Sequence, residues 1–429
     1  MPVVIVAPTL ALLFTVDPVP EAENSAAPAR STGFAAIPAG LGSRMTDRLA
    51  SLSALTRDLV AIDSRSFVSN VPIAERIEAE LSDFEVERLD YLDDSGVAKR
   101  ALVAHRASRG TSQGADRGAG QGASPGGIAF SGHMDTVPDT GWQDDPWSGH
   151  TDADRTLHGL GSTDMKGPLA AAILAARALP ETVPVSLLIT TDEETTKAGA
   201  RRIVQHSVLA RAAKPRLILV VEPTGMVPVR GHRSHIGFTC VATGVQAHSS
   251  TGRGVNANWA LIPFLVDMKA IFERLRADPA LQDRDYDPVF SDFNLVVDNH
   301  GAAVNVTVPK ATARIKFRYS ARLDPTPVLT AVHEAATRAG ITVTEAREGT
   351  PPELPADHPL VLLCAETVGA APRTAPYGTD ASELQALAPC VVLGPGDIAQ
   401  AHTPTEQVRL PELDAAIPVF MRLAERLAP

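Results

Sequence analysis

The sequence predicts an α/β fold, in which a mostly parallel sheet is flanked by helices and a smaller α+β domain is inserted. Short, continuously apolar runs lie at 127–132, 185–191, 217–222 and 390–394. Runs of this length are typical of strands that are buried on both faces. Helix-like segments alternate with the runs, and this alternation is typical of βαβ units.

The first part of the chain supplies the opening elements of this fold. Residues 1–44 are rich in proline, alanine and serine, and we expect them to form a disordered extension. From Met45 onward, leucines recur on one face of an amphipathic pattern that predicts the first helix. The next predicted elements are a helix over 73–84, strands over 84–91 and 100–106, and a loop rich in glycine and serine between Ala107 and Gly127.

The central and last parts of the chain differ in their hydrophobic patterns. Helices are predicted over 168–179 and 198–210, between the buried strands. From about Val229 to Asp324 the strands instead alternate apolar and polar residues, as antiparallel strands with one solvated face do. We therefore predict that residues 45–228 and 326–429 form the large domain and that residues 229–325 form the inserted one.

Composition and charge exclude several classes of protein. The chain has 39 basic and 50 acidic residues, and this acidic balance argues against a nucleic-acid partner. No run reaches the roughly 18 apolar residues of a transmembrane helix, and the apolar amino terminus lacks the basic region of a signal peptide. Cys240, Cys364 and Cys390 lie far apart in apolar runs, which predicts reduced, buried thiols. We therefore expect a cytoplasmic protein without a membrane partner.

Acidic and histidine residues follow the predicted buried strands. Ligands bind outside the carboxyl ends of parallel strands, so these side chains should meet in one crevice. Neutral imidazoles and carboxylates are ligands that zinc prefers, and five of them, one bridging, fit two metal ions about 3.5–4 Å apart. Without a cation, so many buried carboxylates would repel one another. The residues are His133, Asp135, Asp164, Asp192, Glu193, Glu194, Glu222 and His402.

Other catalytic chemistries find little support in the sequence. No G-x-S-x-G motif is present, which argues against a nucleophile elbow of the serine hydrolases. The segment GLGSTD lacks the third glycine of a dinucleotide-binding fingerprint. The contexts of the cysteines give no indication of a catalytic thiol.

Six motifs, in order along the chain, resemble the M20 family of di-zinc metallopeptidases and amidohydrolases. They read SGHMDTVP, GLGSTDMKG, TTDEET, VVEPT, GVQAHSS and AQAHTPTE. Within the family, the segments TTDEETTKAGAR, VEPTGMVPVRGHRSHIG, AHSSTGRGVNA and LGPGDIAQAHTPTE are most similar to the bacterial acetylornithine deacetylase subgroup. The resemblance implies a catalytic di-zinc domain and, in the inserted domain, a lid that also forms a homodimer.

The resemblance also implies roles for the residues in the crevice. Asp164 would bridge two zinc ions, for which Co²⁺ may substitute. One ion would be held by His133, Asp164 and Glu222, and the other by Asp164, Glu194 and His402. Asp135 would orient His133. Glu193 would be the general base that moves a proton from water to the leaving amine.

Four further positions are candidates for contact with the substrate. His248 would stabilise the oxyanion, often in the partner subunit, and Asn305 would contact the substrate carbonyl. Arg322, or alternatively Arg318, would bind the α-carboxylate. Asp380 is a candidate partner for a distal ammonium group, with a helix N-cap as the alternative.

The resemblance implies that the chain removes an N-acyl group from an amino acid, a small-molecule substrate. The reaction would convert N-acetylornithine to ornithine and acetate, in arginine biosynthesis. The alternatives are succinyl-diaminopimelate desuccinylase and another aminoacylase or dipeptidase of the family. A non-catalytic metal-binding relative is the alternative from a different class, although Glu193 and the five ligands are all present.

Overall fold

The structure, a computed structural model, describes residues 39–109 and 126–429. Most of the predicted extension over 1–44 and of the predicted loop between Ala107 and Gly127 lies outside the described residues. The helices within the described ranges are α1 Ala39–Val60, α2 Val71–Glu78, α3 Gly167–Ala178, α4 Ala198–His206, α5 Val208–Ala213, α6 Asn258–Ala277, α7 Thr326–Ala339, α8 Pro359–Val368, α9 Ala381–Leu384 and α10 Leu410–Leu427.

The strands of the described residues form an eight-stranded sheet, a four-stranded sheet and a two-stranded pair. In chain order they are β1 Glu85–Leu92, β2 Ala98–Arg106, β3 Ile128–His133, β4 Thr156–His158, β5 Val185–Thr190, β6 Leu217–Val220, β7 Val229–His232, β8 Ser234–Thr243, β9 Asp292–Asp298, β10 Lys310–Tyr319, β11 Thr342–Arg347, β12 Arg373–Ala375, β13 Cys390–Val392 and β14 Gln407–Arg409.

The large sheet has the order β1-β2-β5-β3-β6-β13-β7-β12, and its four central strands are parallel. Every residue of β3 and β5 is buried, because helices cover both faces of the sheet. This is why these strands read as continuous apolar runs in the sequence. The predicted α/β fold with a mostly parallel sheet is confirmed, although β1, β2 and β7 add antiparallel pairs to it.

The four-stranded antiparallel sheet, in the order β11-β8-β10-β9, packs with α6 and α7 around a separate hydrophobic core. We call residues 234–347 the small lobe and the other described residues the large lobe. These bounds differ from the predicted insertion over 229–325. Residues 229–232 form β7 of the large sheet, whereas α7 and β11 lie beyond 325 and pack on β8 and the small core. Sequence periodicity shows a strand or a helix but not the core against which it packs.

Two predicted helices end earlier than expected. The helix predicted over 73–84 ends at Glu78, and β1 follows at Glu85. The segment predicted as one helix over 198–210 is divided at Ser207, whose hydroxyl accepts a bond from the backbone N–H of Ala210. Serine favours a helix N-cap over a helix interior because its side chain bonds to the backbone in this way.

The three cysteines are buried and free, as their apolar contexts predict. Among the helices of residues 39–109 and 126–429, none has both the length and the apolar character needed to cross a bilayer.

Candidate metal centre

The predicted ligands meet at the carboxyl ends of the central parallel strands. His133 is the last residue of β3, and Glu194 and Glu222 follow the ends of the adjacent strands β5 and β6. Asp164 lies in an irregular turn over Ser162–Lys166 that leads directly into α3. His402 follows β13 after a longer loop. Sheet topology therefore brings together residues that lie far apart in the sequence.

Asp164 lies between the two histidines. Its Oδ1 atom is 3.0 Å from Nε2 of His133, and its Oδ2 atom is 3.4 Å from Nε2 of His402. One ligand atom from each of His133, Asp164 and Glu194 lies within 4.8 Å of the others. A carboxylate with one oxygen directed toward each histidine is suited to bridge two metal ions.

The remaining predicted ligands complete two groups around this carboxylate. The Oε1 atom of Glu222 is 3.8 Å from Nε2 of His133. The Oε2 atom of Glu194 is 3.0 Å from Nε2 of His402. Glu222 thus lies nearest His133 and Glu194 nearest His402, although Glu194 also belongs to the group with His133 and Asp164. The division into two ligand sets that the family resemblance implies stays a prediction.

Asp135 contacts His133 and also the segment that carries Glu193 and Glu194. The Nδ1 atom of His133 is 3.0 Å from the backbone oxygen of Asp135. Because a carbonyl oxygen only accepts, Nδ1 carries the hydrogen, and Nε2 is left free to bind a metal ion. The Asp135 carboxylate also accepts hydrogen bonds from the backbone N–H groups of Glu193 and Glu194, at 3.2 and 3.3 Å. These contacts are those that the predicted orienting role of Asp135 requires.

Glu406 is a buried residue that the sequence reasoning missed. Its carboxylate accepts hydrogen bonds from the backbone N–H groups of Gly161, Thr163 and Asp164, at 2.8, 2.9 and 2.9 Å. These bonds hold the turn from which the Asp164 side chain projects. The signal was the final glutamate of the motif AQAHTPTE, at a fixed distance from His402, but nothing local shows which backbone a buried carboxylate will contact.

A second set of residues supports the segment that follows β5. Asp192 has a positive φ of 59°, and its carboxylate accepts a 2.7 Å hydrogen bond from the Tyr91 hydroxyl. The buried ammonium of Lys99 lies 2.9 Å from the same carboxylate. The sequence reasoning singled out Asp192 but neither of its partners, which lie on the antiparallel strands β1 and β2.

The Glu193 carboxylate lies beside the ligands without joining them. Burial raises its pKa, and Lys197 partly opposes this effect. Its Oε1 atom accepts no hydrogen bond from any residue that the structure describes. A buried carboxylate that is next to the ligand cluster but is not one of the predicted ligands is positioned to exchange a proton with a substrate or a water molecule.

The charges of the cluster fit divalent cations. Burial and repulsion from Asp164 raise the pKa of Glu194 to about 8, and the same two causes raise the pKa of Glu222. Hydrogen bonds to Asp164 and Glu194 raise the pKa of His402 to about 11. These shifts show that the buried carboxylates attract positive charge. The donor set of three carboxylates and two imidazoles is one that zinc and related metal ions accept.

His248 and Asn305 lie on the small lobe, where they neighbour each other. A strand-like bridge joins His248 to Val306, and the backbone N–H of Ser249 donates to the backbone oxygen of Asn305 at 3.0 Å. Both side chains are exposed, and the Nδ1 atom of His248 lies 2.8 Å from the hydroxyl of Ser250. The roles predicted for these two residues stay predictions.

Arg322 and Arg318 both form ion pairs. Arg322 is 2.8 Å from Asp285 and 3.6 Å from Glu353, and Arg318 is 2.6 Å from Asp292. Arg318 lies within β10, whereas Arg322 follows that strand and is the more exposed side chain. The choice between them as the partner of a substrate carboxylate stays open.

Asp380 occupies the N-cap position of α9, but its side chain makes no capping hydrogen bond. Its carboxylate instead accepts from the hydroxyl of Thr190 at the end of β5, and its Oδ1 atom has no partner among the described residues. Burial and repulsion from Glu193 raise its pKa to about 7. Asp380 is therefore buried beside the end of β5 and close to Glu193, and its predicted role as the partner of a substrate ammonium stays a prediction.

A cavity of about 860 Å³ opens beside the ligands, between the lobes. The large lobe contributes Tyr91, Glu194 and Arg202 to its lining, and the small lobe contributes His235 and Arg347. This volume lies within the usual range for sites that bind small molecules.

The sequence profile of peptidase family M20/M25/M40 matches residues 129–426. An acetylornithine deacetylase of Myxococcus xanthus is 32% identical over 385 residues, which cover 86% of this chain and 95% of the relative.

Solved structures of low sequence identity share the fold. Human carnosine dipeptidase 1 has a TM-score of 0.64 and 14% identity, over 89% of this chain and 98% of that one. A dinuclear metal-binding peptidase of the M20 family from Bacillus subtilis has a TM-score of 0.56 and 16% identity, over 88% and 98%. Together with the profile match, these likenesses agree with a hydrolase whose site binds metal.

Proposed function

The chain belongs to peptidase family M20/M25/M40, and from this premise we propose that it is a zinc-dependent deacylase of N-acyl amino acids, with N-acetylornithine as its substrate. The observation that carries the proposal is the position of the Asp164 carboxylate between two histidines, 3.0 Å from His133 and 3.4 Å from His402, with the buried Glu193 carboxylate nearby. The relative from Myxococcus xanthus supports the choice of substrate.

The residues of the cluster divide the work of amide hydrolysis. His133, Asp164, Glu194, Glu222 and His402 would hold two divalent ions. When bound, such ions lower the pKa of a water molecule and polarise the amide carbonyl. The Glu193 carboxylate would accept one proton from the attacking water and deliver it to the nitrogen of the leaving amine as the C–N bond breaks. The products are a carboxylate and a free amine.

The experiment combines metal removal with a panel of substrates. After chelation, activity should disappear, and it should return with Zn²⁺ or Co²⁺. The panel contains N-acetylornithine, N-succinyl-diaminopimelate, N-acetylmethionine and a dipeptide, and we expect the highest kcat/KM for N-acetylornithine. Full activity after exhaustive chelation would exclude the metal-dependent mechanism. A higher kcat/KM for the succinyl compound or the dipeptide would replace the proposed substrate with one of the alternatives.

We also propose that the protein is a homodimer joined through the small lobe. On α6 of this lobe, Trp259 and Val266 lie on one face of the helix and are 72% and 64% exposed. Large exposed apolar side chains that share one face are typical of an interface between proteins. Sedimentation of the protein at several concentrations tests this proposal, and a monomer at all of them would exclude it.

A further inference from the structure

Lys197 is a buried lysine beside the proposed general base. It is only 5% exposed, and its backbone adopts a positive φ of 55° at the start of α4. Lysine is seldom buried, because removing its ammonium from water is costly unless partners compensate the charge. The steps of amide hydrolysis described above make no use of it.

Three partners surround the ammonium of Lys197. Its Nζ atom lies 3.4 Å from Oε1 of Glu193, 2.9 Å from Oε2 of Glu348 and 2.9 Å from the backbone oxygen of Thr379. The space is tight, since a Cβ atom at Gly378 would lie 3.1 Å from Nζ. These three oxygens hold the ammonium, and one of them belongs to the Glu193 carboxylate.

Glu348 connects this ammonium to both chain segments that join the lobes. It directly follows β11, where the chain returns to the large lobe. Its Oε1 atom accepts a 2.6 Å hydrogen bond from the backbone N–H of His235 and lies 3.0 Å from the Nδ1 atom of the same residue. His235 is at the start of β8, where the chain enters the small lobe. Burial alone would raise the pKa of Glu348, but His235 and Lys197 lower it to about 2, so it is ionised.

We propose that Lys197 is a positioning residue, which holds the Glu193 carboxylate beside the metal centre, and that Glu348 fixes Lys197 and thereby links Glu193 to both connections between the lobes. The proposal rests on the role of Glu193 as general base. An ion pair buried in this way contributes a defined geometry more than it contributes stability. A shift of the small lobe would then move Glu348, Lys197 and Glu193 together.

The main test is the variant Lys197→Met, which removes the charge and retains most of the side-chain length. Displacement of a reacting group by about 1 Å can lower the rate roughly 10²-fold, and we expect a loss in kcat of that order. KM and the bound zinc, measured by atomic absorption, should stay within about twofold, because Lys197 contacts none of the predicted metal ligands and is not itself part of the cavity lining. An unchanged kcat would overturn the proposal, and so would a loss of zinc proportional to the loss of rate.

The double variant Lys197→Met/Glu348→Gln separates positioning from stability. Lys197→Met leaves Glu348 buried without its cation, which should lower the thermal unfolding midpoint. Neutralising Glu348 as well should restore much of that midpoint, while kcat stays low because nothing holds Glu193. If kcat recovered together with the midpoint, Lys197 would have a structural role only. The double variant also gives a result if Lys197→Met alone does not fold.

Three companion measurements complete the test, all with the substrate of the panel that has the highest kcat/KM. Glu348→Gln alone should lower kcat by a smaller factor, and an unchanged kcat would remove Glu348 from the proposal. Lys214→Met is the control, because Lys214 is exposed directly after α5 of the large lobe and should keep full activity. If Glu193→Gln keeps its activity, the proposed general base is wrong. If Glu193→Gln is inactive while Lys197→Met is active, only the positioning proposal fails.

Discussion

The carboxylate of Glu406 accepts a 2.9 Å hydrogen bond from the backbone N–H of Asp164, although 242 positions separate the two residues in the sequence. Two more backbone N–H groups of the same turn, from Gly161 and Thr163, donate to this carboxylate. Glu406 lies four positions after His402, so one short segment supplies a predicted ligand and also fixes the turn that carries the Asp164 carboxylate.

We expect Glu406→Gln to weaken metal binding. The carboxylate of Glu406 accepts hydrogen bonds from three backbone N–H groups, whereas the NH₂ group of a glutamine is itself a donor and cannot accept from them. Loss of a residue that orients a ligand typically costs about 10–100-fold in metal affinity. Competition with a chromophoric chelator measures the effect. Glu412→Gln is the matched control, since Glu412 is half exposed on α10 and pairs only with Arg409. Equal affinities for the two variants would show that Glu406 has no such role.

Glu193→Gln and Glu194→Gln should have different effects. Glu193→Gln removes the proton carrier, so we expect bound zinc to be retained and most of kcat to be lost. Glu194→Gln replaces a predicted carboxylate ligand with a neutral amide, which binds metal ions more weakly, so bound zinc itself should fall. Metal content and kcat, measured on the same preparations, distinguish the two variants. If the effects were exchanged, the base and the ligand would have to be reassigned.

His248→Ala should lower kcat by roughly 10²–10³-fold, the range for loss of one oxyanion donor, with metal content unchanged. His248 is exposed on the small lobe, so an action in the partner subunit can be tested by mixing. After subunit exchange, a mixture of His248→Ala and Glu193→Gln proteins should regain part of the activity. An inactive mixture, with exchange demonstrated, would favour action within one chain.

Asp380→Asn should lower kcat for N-acetylornithine and for N-acetylmethionine alike. Asp380 is 1% exposed, and its carboxylate contacts Thr190 at the end of a strand instead of lining the cavity. A residue in this position influences the site through its neighbours, whereas a partner of the substrate ammonium would discriminate between the two substrates. An increase in KM for N-acetylornithine alone would establish Asp380 as the ammonium-binding residue.

Stability should fall at acid pH because of His232. Burial, followed by repulsion from Lys197, lowers the pKa of this histidine to about 4, below its ordinary value of 6.5. Below pH 6.5 the unfolded chain therefore binds a proton that the folded chain does not, and the stabilisation is lost as the pH falls toward 4. Between about pH 7.5 and pH 5 the expected loss is about 2 kcal/mol. Urea unfolding at both pH values measures this loss of unfolding free energy. The loss should be smaller by this amount in His232→Gln than in the unchanged protein, and equal losses in the two proteins would contradict the assignment.

Local pattern was sufficient for the four central strands of the large sheet, but it assigned β7 to the insertion. The apolar runs became the buried strands β3, β5, β6 and β13, because a strand covered on both faces must be apolar along its whole length. The limits of the small lobe were not predictable in the same way. The sequence pattern of β11 predicts a strand but does not indicate its lobe. Only the pairing of β11 with β8 assigns it to the small lobe.

The sequence by itself determined the α/β class, the residue types of a metal centre and their order at the strand ends, since periodicity and ligand chemistry are local properties. The tertiary structure alone decided which buried charges meet. Lys197 contacts Glu348, Glu406 holds the Asp164 turn, and Asp380 accepts a hydrogen bond from Thr190, each across more than 100 positions of the chain. The physical reason is that a buried charge is stable only beside a partner, and the partner is chosen by how the strands and lobes pack, which no local pattern records.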